Sequence, residues 1–328
     1  MIKIDKTKIN EQKIPSGIGI FTLSDENDIL YISKTMSLDK SIRQLLKIAK
    51  DDKNIFQLIS QTKTISYEEH DSLFSALVHQ KKLQSKHLPE FSFLIKPYDQ
   101  YVYLGIDFDN PQYFKVVEDT QQKRFYIGPF KDRFFLFELL DIMAELFQSP
   151  LCPNEAPYPC ERYKNEKCPG WCIKERYDTF QKAILPVIIP DKELLSSKQD
   201  EYNKLYNDLQ FDKAEDFKKK IQVLEKYWEY LKFYYVTKNL DLEITEDKKQ
   251  FIFKSGKLSK IIENGKTTEL PVTTIEYRDN ELLAFNKDEL AERWIIYNYL
   301  LKKNEKIILD RINTFYKKSL LKIRSHLT

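Results

Sequence analysis

One segment, CPNEAPYPCERYKNEKCPGWC from Cys152 to Cys172, contains all four cysteines of this 328-residue chain. The N-terminal sequence is polar and lacks the apolar core of a signal peptide, and no run approaches the roughly 18 apolar residues of a membrane helix. We therefore expect a soluble, cytoplasmic protein, in which thiols stay reduced. A cysteine cluster in such a chain favours metal or iron–sulfur ligation over disulfides, although four free thiols would give the same sequence.

The prolines of this segment predict a rigid loop. Four thiolates in such a loop can enclose a cubane iron–sulfur cluster. A tetrahedral zinc site is the alternative, but zinc ribbons prefer two CxxC knuckles, and the segment has none. The residues alone therefore leave both kinds of centre open.

Charge is nearly balanced, with 53 Lys and Arg against 50 Asp and Glu, so the net charge of +3 does not by itself indicate a nucleic-acid-binding protein. Hydrophobic residues make up 42% of the chain, which is enough for packed cores. The length suggests two or three domains. Basic residues cluster locally near the C-terminus, at Lys317, Lys318, Lys322 and Arg324. They could contact DNA phosphates or form a solvated helix face.

Hydrophobic periodicity predicts a mixture of strands and helices, and hence an α+β multidomain fold. The predicted elements are two strands within 14–34, an amphipathic helix at 37–50 with Ser37 as its N-cap, a strand at 55–66, a helix at 70–86, strands within 91–128, an apolar helix at 134–147, a helical hairpin at 191–231 broken near 208–211, strands within 233–280, and helices at 287–301 and 305–324.

Three of these regions, in this order, resemble the UvrC family, whose members are the incision subunit of bacterial nucleotide excision repair. GIGIF and LYISK resemble a GIY-YIG nuclease core, the cysteine segment follows, and the charged hairpin resembles a UVR motif. The resemblance implies a short homologue with a GIY-YIG-like small mixed sheet with helices, a cysteine-rich metal loop, a helical hairpin and an α+β C-terminal region. The corresponding segments are 1–92, 93–190, 191–231 and 232–328.

The resemblance assigns a role to the cysteines. The family core PCxxYxxxxCxxxC appears here as PCERYKNEKCPGWC. By resemblance, a [4Fe–4S] cluster is expected on four ligands, Cys152, Cys160, Cys168 and Cys172, with Zn²⁺ as the alternative.

The hairpin sequence FDKAEDFKKKIQVL is similar to the UVR pattern. The resemblance implies docking on a UvrB-like partner through the positions that match that pattern, Phe211, Ala214, Lys218, Ile221 and Leu224. An apolar stripe flanked by charges suits a weak, specific helix interface. An ordinary charged helical hairpin is the alternative interpretation.

The nuclease motif is incomplete. A GIY-YIG enzyme needs a divalent metal, a carboxylate to hold it, a phenol near the attacking water and a cation for the phosphate. Tyr31 and Lys34 match the family as remnants of the catalytic set, but the first tyrosine, the helix arginine and the metal-binding glutamate fall on Gly19, Ser41 and Gln80. A hard dication such as Mg²⁺ or Mn²⁺ prefers carboxylates to an amide, so such an ion is expected only if the nuclease is active.

Two alternatives concern the nuclease position. Arg43 lies two residues beyond Ser41 and would point about 200° away around a helix. If the alignment slips, a carboxylate could come from Glu68, Glu69 or Asp71, and His79 is a conceivable ligand.

We therefore predict a repair protein that binds DNA or a UvrB-like partner, with an eroded nuclease site. The alternatives are an active short endonuclease that makes a single-strand incision in damaged DNA, and a structural or redox Fe–S protein unrelated to DNA. Three measurements distinguish these classes. They are DNA nicking for the endonuclease, binding of DNA or a UvrB-like partner for the repair protein, and metal content for the Fe–S protein.

Overall fold

The computed structural model describes residues 1–9, 11–95, 98–106, 114–120, 125–147, 161–166, 187–190, 192–246, 248–270 and 283–327. All four cysteines lie outside these ranges. The chain forms two compact units. Unit 1 comprises 1–99, 240–274 and 288–309, and unit 2 comprises 100–239, 275–287 and 310–328. The predicted 232–328 segment is thus shared between the units, because its strands and its penultimate helix pack with the N-terminal part of the chain.

Unit 1 begins with a four-stranded antiparallel sheet of order β1-β4-β2-β3. Its strands are β1 (Ile2–Asp5), β2 (Gly19–Ser24), β3 (Ile29–Thr35) and β4 (Thr64–Glu69), and its helices are α1 (Leu38–Ile48), α2 (Lys53–Gln61), α3 (Leu73–His87) and α4 (Phe91–Leu94). A short 3₁₀ turn spans Lys6–Lys8. Strand β3 is one of the two edge strands, and side chains alternate between its two faces.

The two faces of this sheet have different surroundings. On one face, Phe21 and Leu23 of β2 pack with Leu38 and Ile42 of α1 in a buried cluster. The register pairs Tyr31 with Leu23 and Lys34 with Ile20, so Tyr31 and Lys34 project to opposite faces. Helix α3 packs on the sheet at β2 and β3.

A second antiparallel sheet of unit 1 has the order β11-β10-β9-β8. Its strands are β8 (Leu242–Glu246), β9 (Lys249–Lys254), β10 (Lys257–Glu263) and β11 (Lys266–Glu269). Phe74 of α3 packs between this sheet and the later helix α9 (Glu289–Lys303), with ring centroids 5.3 Å from Phe251 and 3.7 Å from Tyr299. Helix α3 therefore contacts the first sheet as well as β9 and α9.

Unit 2 contains a four-stranded sheet of order β12-β7-β5-β6. Its strands are β5 (Val102–Ile106), β6 (Phe114–Val117), β7 (Phe125–Phe130) and β12 (Leu283–Ala284), and its helices are α5 (Arg133–Phe147), α6 (Glu161–Lys164), α7 (Lys192–Asn207), α8 (Phe211–Lys238) and most of α10 (Lys306–Leu327). In the described residues, no helix is both long and apolar enough to cross a bilayer.

Helix α8 belongs to both the hairpin and the core of unit 2. Its first half packs on α7, and the chain reverses at Leu209, whose φ is +60°. Its second half is buried in unit 2, with Leu231 and the run Phe233–Val236 fully buried. Tyr234 donates a hydrogen bond to Pro129 O at 2.8 Å, and Tyr235 donates one to Ile188 O at 2.7 Å. The buried phenols thus have their polar atoms satisfied.

The structure confirms most predicted elements and corrects three. The predicted strand at 55–66 is wrong for its first part, because Asp52 caps helix α2 by accepting from Asn54 N and Ile55 N. The start of the region predicted to hold strands, 91–128, is a short helix, α4, at Phe91–Leu94. The predicted strand start at 233 is wrong because FYYV continues α8, where aromatic side chains are buried on all sides of a helix.

The predicted capping by Ser37 also needs a correction. Ser37 is the N-cap of α1, but its hydroxyl makes no capping bond. The backbone N–H of Ser37 instead donates to Thr35 Oγ1 at 3.0 Å.

Candidate functional site

The candidate site is the pair of faces around the edge strand β3. The positions Gly19, Tyr31 and Ser41 lie on the face covered by α1, and Lys34 lies on the face covered by α3. The sequence-predicted residues are therefore not gathered into one cluster. Each face has its own polar arrangement.

Tyr31 is partly buried against the α1-side core, and its ring centroid is 6.2 Å from that of Phe21. Burial raises the pKa of Tyr31, and a hydrogen bond with the Ser33 side chain opposes this effect. A raised phenol pKa keeps Tyr31 protonated at neutral pH. Tyr31 therefore behaves here as a packed side chain with a hydroxyl.

Gly19, which is predicted to match the family's first tyrosine, has no room for a side chain. A Cβ there would lie 2.4 Å from Glu68 O and 2.7 Å from Leu38 Cδ1. Real Cβ atoms do not approach other atoms this closely. Leu38 of α1 fills the space beside Gly19.

Ser41, at the family's arginine position, is bonded inside the same face. Its hydroxyl lies 2.5 Å from Thr35 Oγ1. Arg43 does not replace the missing arginine. Its Nε donates to Asp39 Oδ1 at 2.6 Å and its guanidinium donates to Gln12 O at 3.4 Å.

On the other face, Lys34 Nζ donates to Gln80 Oε1 at 3.0 Å. Burial lowers the pKa of Lys34 to about 8, while the negative charge of Glu292 opposes the shift and the positive charge of Lys81 adds to it. The position predicted to match the family's metal-binding glutamate is therefore a neutral amide that already accepts from a cation. This pair does not fit Mg²⁺ or Mn²⁺, which require anionic oxygen ligands.

Glu292 of α9 supplies the negative charge near Lys34. It forms an ion pair with Lys81 at 2.6 Å, and both side chains are nearly buried, 11% and 12% exposed respectively. Its other oxygen accepts from Leu258 N at 3.0 Å. Residues of α9 and β10 thus fix the charge balance beside the family's metal position, which sequence patterns in the first 92 residues could not reveal.

The alternative ligands proposed from the sequence separate into two groups. Glu69 and Asp71 are exposed. Glu68 and His79 come together with His70, which sequence reasoning missed, and the three could hold a metal ion. Burial lowers the pKa of His79, whereas Glu68 opposes the shift. The only signal for His70 was its position two residues after Glu68 at a strand end.

The predicted partner-binding residues divide by burial. Ala214, Ile221 and Leu224 are buried, so their side chains are not accessible. Phe211 and Lys218 are exposed, and Phe211 lies at the hairpin turn with its ring 5.2 Å from that of Tyr206.

The predicted DNA-binding residues lie on α10. Lys317 and Lys318 are exposed, and the side chains of Lys322 and Arg324 fall outside the described residues. The predicted ligands Cys152, Cys160, Cys168 and Cys172 are also outside the described residues.

Comparisons with known proteins give a consistent set of relatives. No protein-family model matches the chain. UvrABC system protein C of Finegoldia magna is 23% identical over 205 residues, covering 60% of this chain and 33% of that protein. The same protein of Acaryochloris marina is 26% identical over 238 residues, covering 67% and 37%. That of Rickettsia felis is 22% identical over 327 residues, covering 94% and 51%.

Among solved structures, the GIY-YIG N-terminal endonuclease domain of UvrC from Thermotoga maritima bound to magnesium is 18% identical, with a TM-score of 0.25, and the match covers 26% of this chain and 98% of that chain. The chain spans about a third to a half of the length of the curated relatives above. The chain is therefore similar to UvrABC system protein C over 60% to 94% of its own length.

Proposed function

We propose that this chain is a nucleotide-excision-repair protein that binds DNA, a UvrB-like partner or both, and does not cut DNA at its GIY-YIG position. Relatives named UvrABC system protein C support the repair context. In this proposal the protein binds its targets but makes no incision in DNA.

The observation that carries the proposal is the hydrogen bond from Lys34 Nζ to Gln80 Oε1. Metal-assisted hydrolysis requires an ion that polarises the phosphate. An ion beside Gln80 would find an uncharged ligand and a neighbouring ammonium. The phenol of the first tyrosine is also missing, because that position is Gly19 and Leu38 fills the space beside it.

A nicking assay tests the loss of incision. We expect the full chain to leave damaged or branched plasmid DNA intact with Mg²⁺ or Mn²⁺, at the level of a reaction with chelator. The matched variants are Tyr31→Phe and Lys34→Ala. Strong metal-dependent nicking that disappears in both variants would overturn the proposal and favour the active short endonuclease, which the retained Tyr31 and Lys34 motivate.

Partner docking is proposed at the tip of the hairpin. Three apolar side chains there are exposed, Tyr206 at 52%, Leu209 at 73% and Phe211 at 52%. Exposed aromatic residues at a helix turn suit the anchor of a small interface. The buried Ala214, Ile221 and Leu224 would then stabilise the hairpin that presents this tip.

Calorimetry with a UvrB-like protein tests the docking proposal. We expect Phe211→Ala to weaken binding at least about tenfold, as loss of an interface anchor does. Phe56→Ala is the matched control, because Phe56 is 63% exposed but lies on α2. Equal affinities for both variants would exclude the hairpin tip as the docking surface.

DNA binding is proposed for the basic residues of α10. Lys317→Ala and Lys318→Ala should together reduce the slope of log affinity against log salt by about 2, because each lysine that contacts a phosphate releases about one counterion. Fluorescence anisotropy at several salt concentrations measures this slope. An unchanged slope would assign these lysines to a solvated helix face.

The cysteines are proposed to hold a [4Fe–4S] cluster. Four thiolates suit such a cluster, and Zn²⁺ is the alternative. A brown protein with iron and acid-labile sulfide after anaerobic purification is the expected result. A colourless anaerobic protein with one equivalent of zinc would exclude the cluster, and with it the idea of a redox Fe–S protein.

A further inference from the structure

Three side chains from two elements meet beside the first sheet of unit 1. Glu68 lies near the end of β4, His70 follows that strand, and His79 lies in the second turn of α3. Glu68 and His70 are two residues apart and therefore project to the same face. The backbone of His70 is held by its N–H, which donates to Ile18 O at 2.8 Å. The Ser72 hydroxyl accepts from Ser75 N at 3.1 Å and starts α3 at a fixed point.

The distances within this group are those of ligands around one ion. His70 Nε2 lies 3.1 Å from His79 Nδ1. Glu68 Oε1 lies 3.6 Å from His70 Nε2 and 3.4 Å from His79 Nδ1. Tetrahedral zinc with bonds of about 2.0–2.1 Å has ligand atoms about 3.3–3.4 Å apart. The three atoms therefore already have the spacing that a single ion requires.

We propose that Glu68, His70 and His79 form a three-ligand site for a transition-metal ion of the Zn²⁺ class. Two imidazoles and one carboxylate suit zinc, and Mg²⁺ prefers all-oxygen ligands. Within the described ranges, no other group of three such donors lies this close together. The site is distinct from the family's metal position, because Gln80 is turned about 100° from His79 around α3 and binds Lys34.

The surroundings leave room for a fourth ligand. The side chain of Glu68 is 39% exposed, that of His79 is 25% exposed and that of His70 is 14% exposed. A water molecule can therefore complete the coordination, as in zinc sites with three protein ligands. The second oxygen of Glu68 lies 3.2 Å from the Met1 amine, which can orient the carboxylate. This inference does not depend on the proposed repair function.

Metal titrations of the full chain test the site. The absorption spectrum of bound cobalt(II) distinguishes this site from a cysteine site. Thiolates add intense thiolate-to-metal charge-transfer bands, whereas histidine and carboxylate ligands give weak visible bands. We expect one equivalent of such binding in the wild type. Metal affinity should fall at least about tenfold in each of three variants, Glu68→Gln, His70→Ala and His79→Gln. Loss of a group that only supports a ligand already costs about tenfold or more, and loss of a ligand itself should cost at least as much. Zinc calorimetry should show the same loss.

His87→Ala is the matched control, because His87 is exposed at the end of the same helix. It should leave metal affinity and stoichiometry unchanged. If the wild type, the ligand variants and this control bind cobalt and zinc identically, the three residues form only a hydrogen-bonded network and the proposal is overturned.

A readout on the wild type covers the case in which a ligand variant fails to fold. In nitrogen-detected histidine spectra of the wild-type protein, one equivalent of zinc should shift the ring resonances of His70 and His79. The resonances of His87 should not move. Unshifted His70 and His79 resonances at saturating zinc would also overturn the proposal.

Discussion

Helix α3 places two neighbouring polar residues in opposite electrostatic settings. His79 faces the carboxylate of Glu68 and the imidazole of His70, whereas Gln80 faces the ammonium of Lys34. One setting collects groups that can donate electron pairs to a cation. The other pairs the neutral amide of Gln80 with a protein cation. Two adjacent positions of one helix can therefore face groups of opposite charge preference.

The two settings also differ in their support. The charge of Lys34 is favoured by Glu292 of α9 and disfavoured by Lys81 of α3. The Glu68, His70 and His79 group depends on β4 and on the start of α3. A substitution in the sheet that both settings share should disturb the surroundings of His79 and of Gln80. A substitution in α9 should disturb only the surroundings of Gln80.

The largest effect is expected from Gly19→Tyr, which introduces the tyrosine predicted from the family resemblance. This change should disturb the surroundings of both His79 and Gln80. The new Cβ would meet Glu68 O and Leu38, so the unfolding free energy should fall by more than about 3 kcal/mol. Urea denaturation measures the change. Gly265→Asn is the control, because a Cβ there meets nothing within 4 Å and asparagine tolerates its φ of +74°. A stable, fully folded Gly19→Tyr protein would contradict this account of the packing.

The next effect is expected from Glu292→Gln, which breaks the support of Lys34 alone. It leaves nearly buried Lys81 without a counter-charge, which costs about 3 kcal/mol in comparable pairs. Glu263→Gln is the control, because Glu263 is 35% exposed and its ion pairs with Lys82 and Lys249 are screened by solvent, so their loss should cost less. Chemical denaturation of both variants gives the comparison. Similar losses would show that burial does not distinguish the two ion pairs.

A smaller effect is expected from Lys34→Met, which should change how the unfolding free energy depends on pH. The pKa of Lys34 is about 8 in the folded protein, against 10.5 normally. Between these values the unfolded state binds more protons, so wild-type stability should rise with pH from about 8 to 10.5. Below pH 8 the buried charge costs on the order of 1–3 kcal/mol.

In Lys34→Met this rise should be absent, and stability at pH 7 should equal or exceed that of the wild type. Denaturation midpoints measured from pH 7 to 10.5 check the difference between the two proteins. A parallel pH dependence in both would show that Lys34 titrates normally.

The smallest effect is expected from His79→Gln in metal-free protein. The pKa of His79 is lowered from 6.5 by burial, so the folded state binds fewer protons below that pH. Wild-type stability should therefore be fully present above about pH 6.5 and fall on acidification, and His79→Gln should reduce this fall by less than about 1 kcal/mol. Thermal midpoints at pH 5 and 7 measure it. His87→Ala should retain the wild-type fall.

Local chemistry explains which elements could be predicted. The strand pair β2–β3, helices α1 and α5, the hairpin and the last two helices follow from hydrophobic periodicity and turn residues, which act over a few neighbours. The errors arise where context outweighs propensity. Asp52 caps a helix that covers most of the segment predicted as a strand at 55–66. The run FYYV at 233–236 is buried in a helix because the core of unit 2 surrounds it.

The sequence by itself determined that Gly19, Ser41 and Gln80 supply no phenol, no guanidinium and no carboxylate, because these are properties of side-chain type alone. Only the tertiary structure decided what surrounds these positions. Leu38 fills the space beside Gly19, Lys34 binds Gln80 under the influence of Glu292, and Glu68, His70 and His79 converge. These groups come from different elements, and side-chain packing sets the distances between them.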